Sequence, residues 1–560
     1  MEKHGMAEPR RLNGTIHPLR AQPPLPRDQV ILSEEPDEEA VPMDVLFVGG
    51  GPAGLAGAIE LARLVQEDGE MGDLEIGVLE KSAELGEHCL SGAVLNPEPF
   101  RELFPDVPES EMPFKGPVEG EAVYLMREGS AVRLPTPPSM KNHGNRVASL
   151  CEVVRWMGAR AEEMGVNVFP GFPVASLLVE GEAVRGVRTV PAGLDREGNP
   201  GSGYTPAMDL TAQVTVLAEG GRGPLTQSWL QWQGVTSPNP QIYALGVKEL
   251  WEVKKPLDRV IHTLGWPLPN DAFGGSWIYP MGDNLVSLGL VVGLDYRDAR
   301  LDVHGLLQQF KQHPMVREIL AGGEMVEWGA KTIPEGGYYS VPERRHGDGA
   351  LVVGDAAGYV DVPSLKGIHY AVKSGILAGR AIFQALKAGD TSRAGLASYT
   401  ESVNESYIMK DLYRTRNMRL AFKSGFYSGG VKAGLMTLTG GRFPGGRIAV
   451  EEDAAEARTL EAPAPAFQPD GELTFSKVDA VFKSGNKTRD DIPSHLIVGE
   501  DISPEMAEFY EHVCPAGVYE RDGDKLIVNA PNCIDCRATD VVGPRWTPRE
   551  GGSGPAYRRM

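Results

Sequence analysis

The run Met43-Asp44-Val45-Leu46-Phe47-Val48-Gly49-Gly50-Gly51-Pro52-Ala53-Gly54 decides the fold. A strand-sized apolar stretch ends abruptly in a G-x-G-x-x-G turn. Leu55, Ala58, Ile59, Ala62 and Val65 then recur at helical spacing on one face. Strand, glycine turn and helix in that order open a dinucleotide-binding sheet. Gly49 permits the turn, Gly51 lets a pyrophosphate approach the backbone, and Gly54 lets the helix lie close to the strand. The phosphates then face the free N–H groups and dipole of the helix N-terminus. The next strand, Ile76-Gly77-Val78-Leu79, ends in Glu80, a carboxylate suited to ribose hydroxyls. Glu80 comes later than the usual ~20 residues after the first glycine, and the polar stretch from Glu67 to Asp73 accounts for the excess as a loop.

Two later segments favour FAD over NAD. Val214-Thr215-Val216-Leu217-Ala218-Glu219-Gly220 reads as a buried strand ending in small residues. Leu351-Val352-Val353-Gly354-Asp355 is another strand, ending in Gly-Asp. In FAD enzymes of the hydroxylase and reductase type, such an aspartate meets the ribityl hydroxyls. NAD has no ribityl chain.

The 560 residues suggest three or four domain-sized units. A net charge of −21 argues against nucleic acid as partner, because phosphate binding needs basic surface. Five cysteines, an odd number, make no disulfide framework and suit a reducing compartment. Residues 1–40 carry Arg10, Arg11, Pro23, Pro24 and Pro26 and the acidic run Glu34-Glu35-Pro36-Asp37-Glu38-Glu39. That composition predicts a flexible tail, without the apolar core of a secretory signal. No apolar run reaches the roughly 18 residues of a membrane-spanning helix.

Near the C-terminus, Cys514-Pro515 precedes a hairpin that turns at Arg521-Asp522-Gly523-Asp524. Cys533-Ile534-Asp535-Cys536-Arg537-Ala538-Thr539-Asp540 follows. Ferredoxin clusters use C-x₂-C-x₂-C plus a distant Cys-Pro, and three of those four ligands are here. A Cys₃His zinc site with His512, or a degenerate fold without a cluster, are the rival readings. Cys89 and Cys151 lie far off and read as small packing residues.

Many segments, in one order, resemble the electron transfer flavoprotein–ubiquinone oxidoreductase family. They include Lys141-Asn142-His143-Gly144-Asn145, Leu245 to Trp251 (LGVKELW), His262 to Leu268 (HTLGWPL), Gly289 to Tyr296 (GLVVGLDY) and Val362 to Gly375 (VPSLKGIHYAVKSG). Glu550-Gly551-Gly552-Ser553-Gly554-Pro555-Ala556-Tyr557 closes the series. The likeness covers the chain from about Val41 to Met560.

The resemblance implies an α/β and α+β protein. A discontinuous Rossmann-like FAD domain is expected at 41–110, 145–235 and 346–410, and a sheet-containing quinone domain at 111–144 and 236–345. A membrane-associating linker is expected at 411–465 and a ferredoxin-like iron–sulfur domain at 466–560. It implies electron transfer from reduced electron transfer flavoprotein, through FAD and a four-iron cluster, to ubiquinone or menaquinone. The site would lie at the cytoplasmic face of the inner membrane, held peripherally. Gly274 and Gly275 fall at the quinone-contacting glycine pair, and residues 86–106 and 422–443 at the membrane contacts.

Three departures stand out. Thr539 replaces the last cluster cysteine, leaving Cys514, Cys533 and Cys536. Asp540 is then the expected substitute, with His512, a solvent oxygen or a three-iron cluster as alternatives. Pro334 and Ile368 replace a polar Asn and Thr near the expected flavin. No nucleophile, triad or acid–base carboxylate pair stands out. An FAD-dependent reductase or hydroxylase of a lipid-like substrate, and a non-enzymatic membrane scaffold, are the alternative functions.

Overall fold

Val45–Val48 is buried at every residue because it lies inside a six-stranded sheet. The order is Asn167–Pro170, Ile76–Glu80, Val45–Val48, Val214–Leu217, Ala350–Val352 and His346–Gly347. All neighbours pair in parallel except the last, which is antiparallel. Unbroken apolar runs are what a parallel sheet covered on both faces requires. The computed structural model describes residues 12–443, 445–461 and 468–560.

The helix Pro52–Asp68 follows the glycine turn and buries Leu55, Ala58, Ile59, Ala62 and Val65, the face expected from spacing. It lies against the long helix Ile368–Ala388 with little room between backbones. A Cβ on Gly375 would stand 2.2 Å from the Ala53 carbonyl oxygen, and one on Gly379 would stand 2.7 Å from that of Gly57. Small residues therefore set this helix pair.

The flexible tail expected over 1–40 is corrected for residues 12–40. Thr15–Ile16 pairs antiparallel with Arg458–Thr459. Ile31–Leu32 edges a five-stranded sheet beside Val174–Glu180, and Val41–Pro42 holds its other edge. The proline-rich, acidic composition conceals a few apolar anchors, Ile16 and Val30, which are buried. Residues 1–11, with Arg10 and Arg11, lie outside the described residues.

A seven-stranded sheet runs Glu324–Pro334, Tyr243–Glu252, Leu285–Gly293, Gly274–Pro280, Val260–Gly265, Glu121–Arg127 and Ser130–Leu134. Its apolar face continues without a break into the C-terminal module, so that Val247 and Leu290 share one core with Phe509 and Ile534. That module holds the helix Pro504–Val513, the hairpin Tyr519–Asp522 with Lys525–Val528, and the short helix Ala538–Val542. The hairpin turns at Gly523 and Asp524, as the sequence indicates, with Gly523 at φ 63°. Among the described residues, no helix is long and apolar enough to cross a membrane.

Candidate functional site

One cavity of about 910 Å³ runs from the glycine turn to the helix Phe426–Leu438. The three glycines at its inner end do different work. Gly49 sits at φ 119°, and a Cβ there would be 2.3 Å from the Ala218 carbonyl oxygen. A Cβ on Gly54 would strike the Gly49 oxygen at 2.1 Å, whereas one on Gly51 would meet nothing within 4 Å. Two glycines thus serve packing, and the third faces open space. Gly51 is also the N-cap of Pro52–Asp68 and brings no capping side chain, which leaves the helix N–H groups to a ligand.

Glu80 and Asp355 line the same cavity. The turn fixes Glu80: its Oε2 accepts from the Gly50 N–H at 3.0 Å, and its Oε1 from the Ser82 N–H and hydroxyl at 2.9 Å each. Gly354, at φ 62°, donates its N–H to Ser374 Oγ at 2.9 Å and so sets the strand end that carries Asp355. Burial pushes the Asp355 carboxyl up to about 6, with Lys331 opposing the shift. Open space above Gly51, an uncapped helix end and two inward carboxylates fit the pyrophosphate and sugar hydroxyls of FAD.

Gly274 and Gly275 line the same cavity. They open the strand Gly274–Pro280 rather than a hairpin turn. A Cβ on Gly274 would be 2.1 Å from the Val291 oxygen, and one on Gly275 would be 2.8 Å from the Thr263 oxygen. Close strand packing therefore demands glycine here, and the same bareness exposes backbone to the cavity. His262 and Tyr279 line this stretch too, with Tyr279 Oη 2.6 Å from His262 Nε2. His262 opens the HTLGWPL segment, and no local spacing gives it a role.

The far mouth is apolar and faces outward. On Phe426–Leu438, Tyr427, Val431 and Leu438 are 71%, 67% and 83% exposed. Spacings of four and seven put them on one helix face. The other membrane stretch, residues 86–106, is corrected. Its Leu95, Phe100, Leu103 and Phe104 are buried, and Phe104 packs edge-on against Trp156 at 4.7 Å. Lys432 is a partly exposed cation that donates to Ser424 Oγ at 3.0 Å, but Lys423 is not free. It pairs with Asp295 at 3.0 Å and Glu456 at 2.6 Å.

The C-terminal module closes the cavity wall with Arg537 and Trp546, the guanidinium lying 3.4 Å over the indole ring. Beside them Cys514, Cys533 and Cys536 are all buried. All three belong to one buried core, and burial, then the charges of Cys514 and Cys533, push the Cys536 thiol up. Three thiols so placed fit an iron–sulfur cluster, in which metal coordination would remove the protons.

Asp540, the expected fourth ligand, is engaged by protein groups. Its Oδ1 accepts from the Trp546 N–H at 3.0 Å and its Oδ2 from Arg222 Nε at 3.0 Å. His512 bonds the Glu508 carbonyl through Nδ1 at 2.8 Å. A residue that the sequence reading missed is His495. It is buried with both ring nitrogens unbonded, and it offers a nitrogen within 4.8 Å of Cys533 Sγ and an Asp535 oxygen. No local spacing could reveal it, since it reaches the cysteines through the strand pair Leu496–Ile497 with Arg545–Trp546.

The family model described as ETF-QO, ubiquinone-binding matches residues 243–333. The model described as electron transfer flavoprotein-ubiquinone oxidoreductase, 4Fe-4S, matches residues 471–558. The chain is 38% identical over 554 residues to the mitochondrial electron transfer flavoprotein-ubiquinone oxidoreductase of Oryza sativa subsp. japonica, spanning 93% of this chain and 94% of the relative. It is 37% identical over 560 residues to the protein of that name from Pseudomonas aeruginosa, spanning 94% and 100%. A solved geranylgeranyl bacteriochlorophyll reductase-like protein from Thermoplasma acidophilum shares the fold at a TM-score of 0.55 and 21% identity, over 72% of this chain and 92% of that one.

Proposed function

We propose that this chain, which belongs to the electron transfer flavoprotein–ubiquinone oxidoreductase family, takes electrons from reduced electron transfer flavoprotein and reduces a membrane quinone. Ubiquinone and menaquinone are both candidates. The carrying observation is the continuity of one cavity. It joins the open space over Gly51, the bare backbone of Gly274 and Gly275, and the exposed apolar helix Phe426–Leu438, with Arg537 of the cysteine-bearing module in its wall. FAD, when bound, exchanges one or two electrons and so can join a one-electron donor to a two-electron acceptor.

Gly51, Glu80 and Asp355 are the residues proposed to hold FAD, and Cys514, Cys533 and Cys536 to hold the cluster. Gly274 and Gly275 would present backbone to the quinone headgroup, whose isoprenoid tail leaves past Phe426 and Tyr427. The face made by Tyr427, Val431 and Leu438 would lie in the lipid interface, without a spanning helix. Attachment to the cytoplasmic face of the inner membrane belongs to the same proposal.

The test is anaerobic. Purified protein carrying its cofactors is mixed with reduced electron transfer flavoprotein and a soluble short-tail quinone. Stoichiometric quinol formation is expected. Turnover with NAD(P)H, and none with the flavoprotein donor, would instead identify a reductase of a lipid-like substrate.

A further inference from the structure

Reducing a quinone to a quinol consumes two electrons and two protons, so the site must deliver protons to the quinone oxygens. We propose that Tyr279 and His262 form the route by which one proton reaches a quinone oxygen, with Lys366, which lines the same cavity, supplying it through water. This rests on the quinone-site reading given above.

The geometry begins with the sheet. Gly275, Trp277 and Tyr279 alternate along one strand and so share a face. His262 pairs across from Trp277 and therefore lies on that same face. All four residues line the cavity. Gly275 and Tyr279 are four residues apart, about 13 Å of strand, a span that a quinone ring and a tyrosine side chain cover together. Tyr279 Oη meets His262 Nε2 at 2.6 Å, while His262 Nδ1 is buried and bonded to nothing. An unsatisfied buried ring nitrogen is costly to a fold, and a role in passing protons gives a reason for it.

The steps balance. Tyr279 O–H gives its proton to the quinone oxygen as two electrons arrive from the donor flavoprotein. His262 Nε2–H replaces the proton on Tyr279 Oη, Nδ1 takes one through cavity water from the Lys366 ammonium, and the ring then returns to its Nε2–H tautomer. Lys366 regains a proton from water. The second proton of the quinol comes from solvent directly.

Lys366 suits the task. It lines the cavity and donates to the Ser364 carbonyl at 2.8 Å. Burial lowers its pKa to about 8, against the raising effect of Asp361 and Glu121. Its charge is felt at both His262 and His369, whose own protonation burial opposes. His262 thus stays neutral near pH 7 and can relay a proton without trapping it.

The experiment compares Tyr279→Phe, His262→Gln and Lys366→Met with wild type, each carrying its cofactors. Two acceptors are used: a short-tail quinone and a one-electron ferricenium salt that takes up no proton. Tyr279→Phe and His262→Gln should slow quinone turnover about a hundredfold, with flavin content, KM for quinone and ferricenium reduction unchanged. The solvent deuterium effect on quinone turnover should fall in both. Wild-type turnover should decline above pH 8, and Lys366→Met should abolish that limb. Wild-type quinone turnover in Tyr279→Phe, or a rise in KM alone, would overturn the proposal. So would equal losses with both acceptors. If wild type itself reduces no quinone, the functional reading fails instead of the relay.

Discussion

The Thr332 N–H donates to the Cys536 carbonyl oxygen at 2.9 Å. That bond ties the cysteine-bearing loop to a strand of the seven-stranded sheet, and Thr332 also lines the cavity. Lys331, one residue before, donates to the Asp535 carbonyl at 3.2 Å. The loop that would hold a cluster and the wall that would hold flavin and quinone are thus joined directly by two hydrogen bonds. Electron transfer falls steeply with distance, so a fixed separation matters more here than any moving part.

Gly51 and Gly54 should separate binding from folding. Gly51 faces open space, so Gly51→Val should leave the thermal midpoint of the flavin-free protein nearly unchanged while abolishing FAD retention. Gly54→Val adds a clash, since even a Cβ would be 2.1 Å from the Gly49 oxygen, and should lower that midpoint as well. Flavin absorbance after desalting and thermal unfolding of both forms check the pair. Stoichiometric flavin in Gly51→Val would refute the phosphate site.

Asp355 predicts a pH signature of the flavin-free protein. Its folded pKa is raised to about 6 from 3.8, chiefly by burial. A raised acid binds its proton more tightly when folded, so folding loses stability as pH rises from about 4 to 6 and stays weakened above. A shift of about two units corresponds to about 3 kcal/mol at most. Asp355→Asn should therefore stabilise the apoprotein at pH 7 and change little at pH 4, while weakening FAD binding. Equal midpoints for variant and wild type at pH 7 would count against a buried, ionised Asp355.

Membrane binding should be hydrophobic and only weakly sensitive to salt. Lys423, a cation beside the apolar helix, is already paired with Asp295 and Glu456. The partly exposed Lys432 adds a single charge, and the larger contribution is the face of Tyr427, Val431 and Leu438. Burying one such side chain contributes about 1.5–3 kcal/mol, so replacing all three with serine should cut partition into phospholipid vesicles at least tenfold. Cosedimentation at low and high salt measures it. Release of the wild type by salt alone would contradict this.

The dinucleotide unit was legible in the sequence because its signals are local: an apolar strand, three spaced glycines and a periodic helix. Glu80 and Asp355 could be placed because each ends a recognisable strand. Residues 12–40 were misread, since two short strands there are held by distant partners and composition reports only the average. Residues 86–106 were misread for a related reason. An apolar segment looks alike whether it meets lipid or Trp156. Asp540 shows the limit most clearly. Its neighbour Thr539 is visible in sequence, but its engagement by Arg222 depends on contact across more than half the chain.

The same engagement shapes the cluster prediction. Three thiols are gathered, and Thr539 stands where the pattern has its fourth cysteine. A neutral hydroxyl is a poor iron ligand beside thiolate, and both Asp540 oxygens are bonded elsewhere. The protein as isolated should therefore show the EPR signal of an oxidised three-iron cluster, or a four-iron cluster that readily loses one iron to oxidant. Thr539→Cys should give an oxidant-stable four-iron cluster. Asp540→Ala should leave cluster type untouched yet unfold the protein earlier, because Arg222 would keep a buried charge without its partner, a loss of about 3–5 kcal/mol. EPR with iron and sulfide analysis reads the first two outcomes and thermal unfolding the third. An oxidant-stable four-iron cluster in the wild type that Asp540→Ala destabilises would show that the carboxylate leaves Arg222 to bind iron.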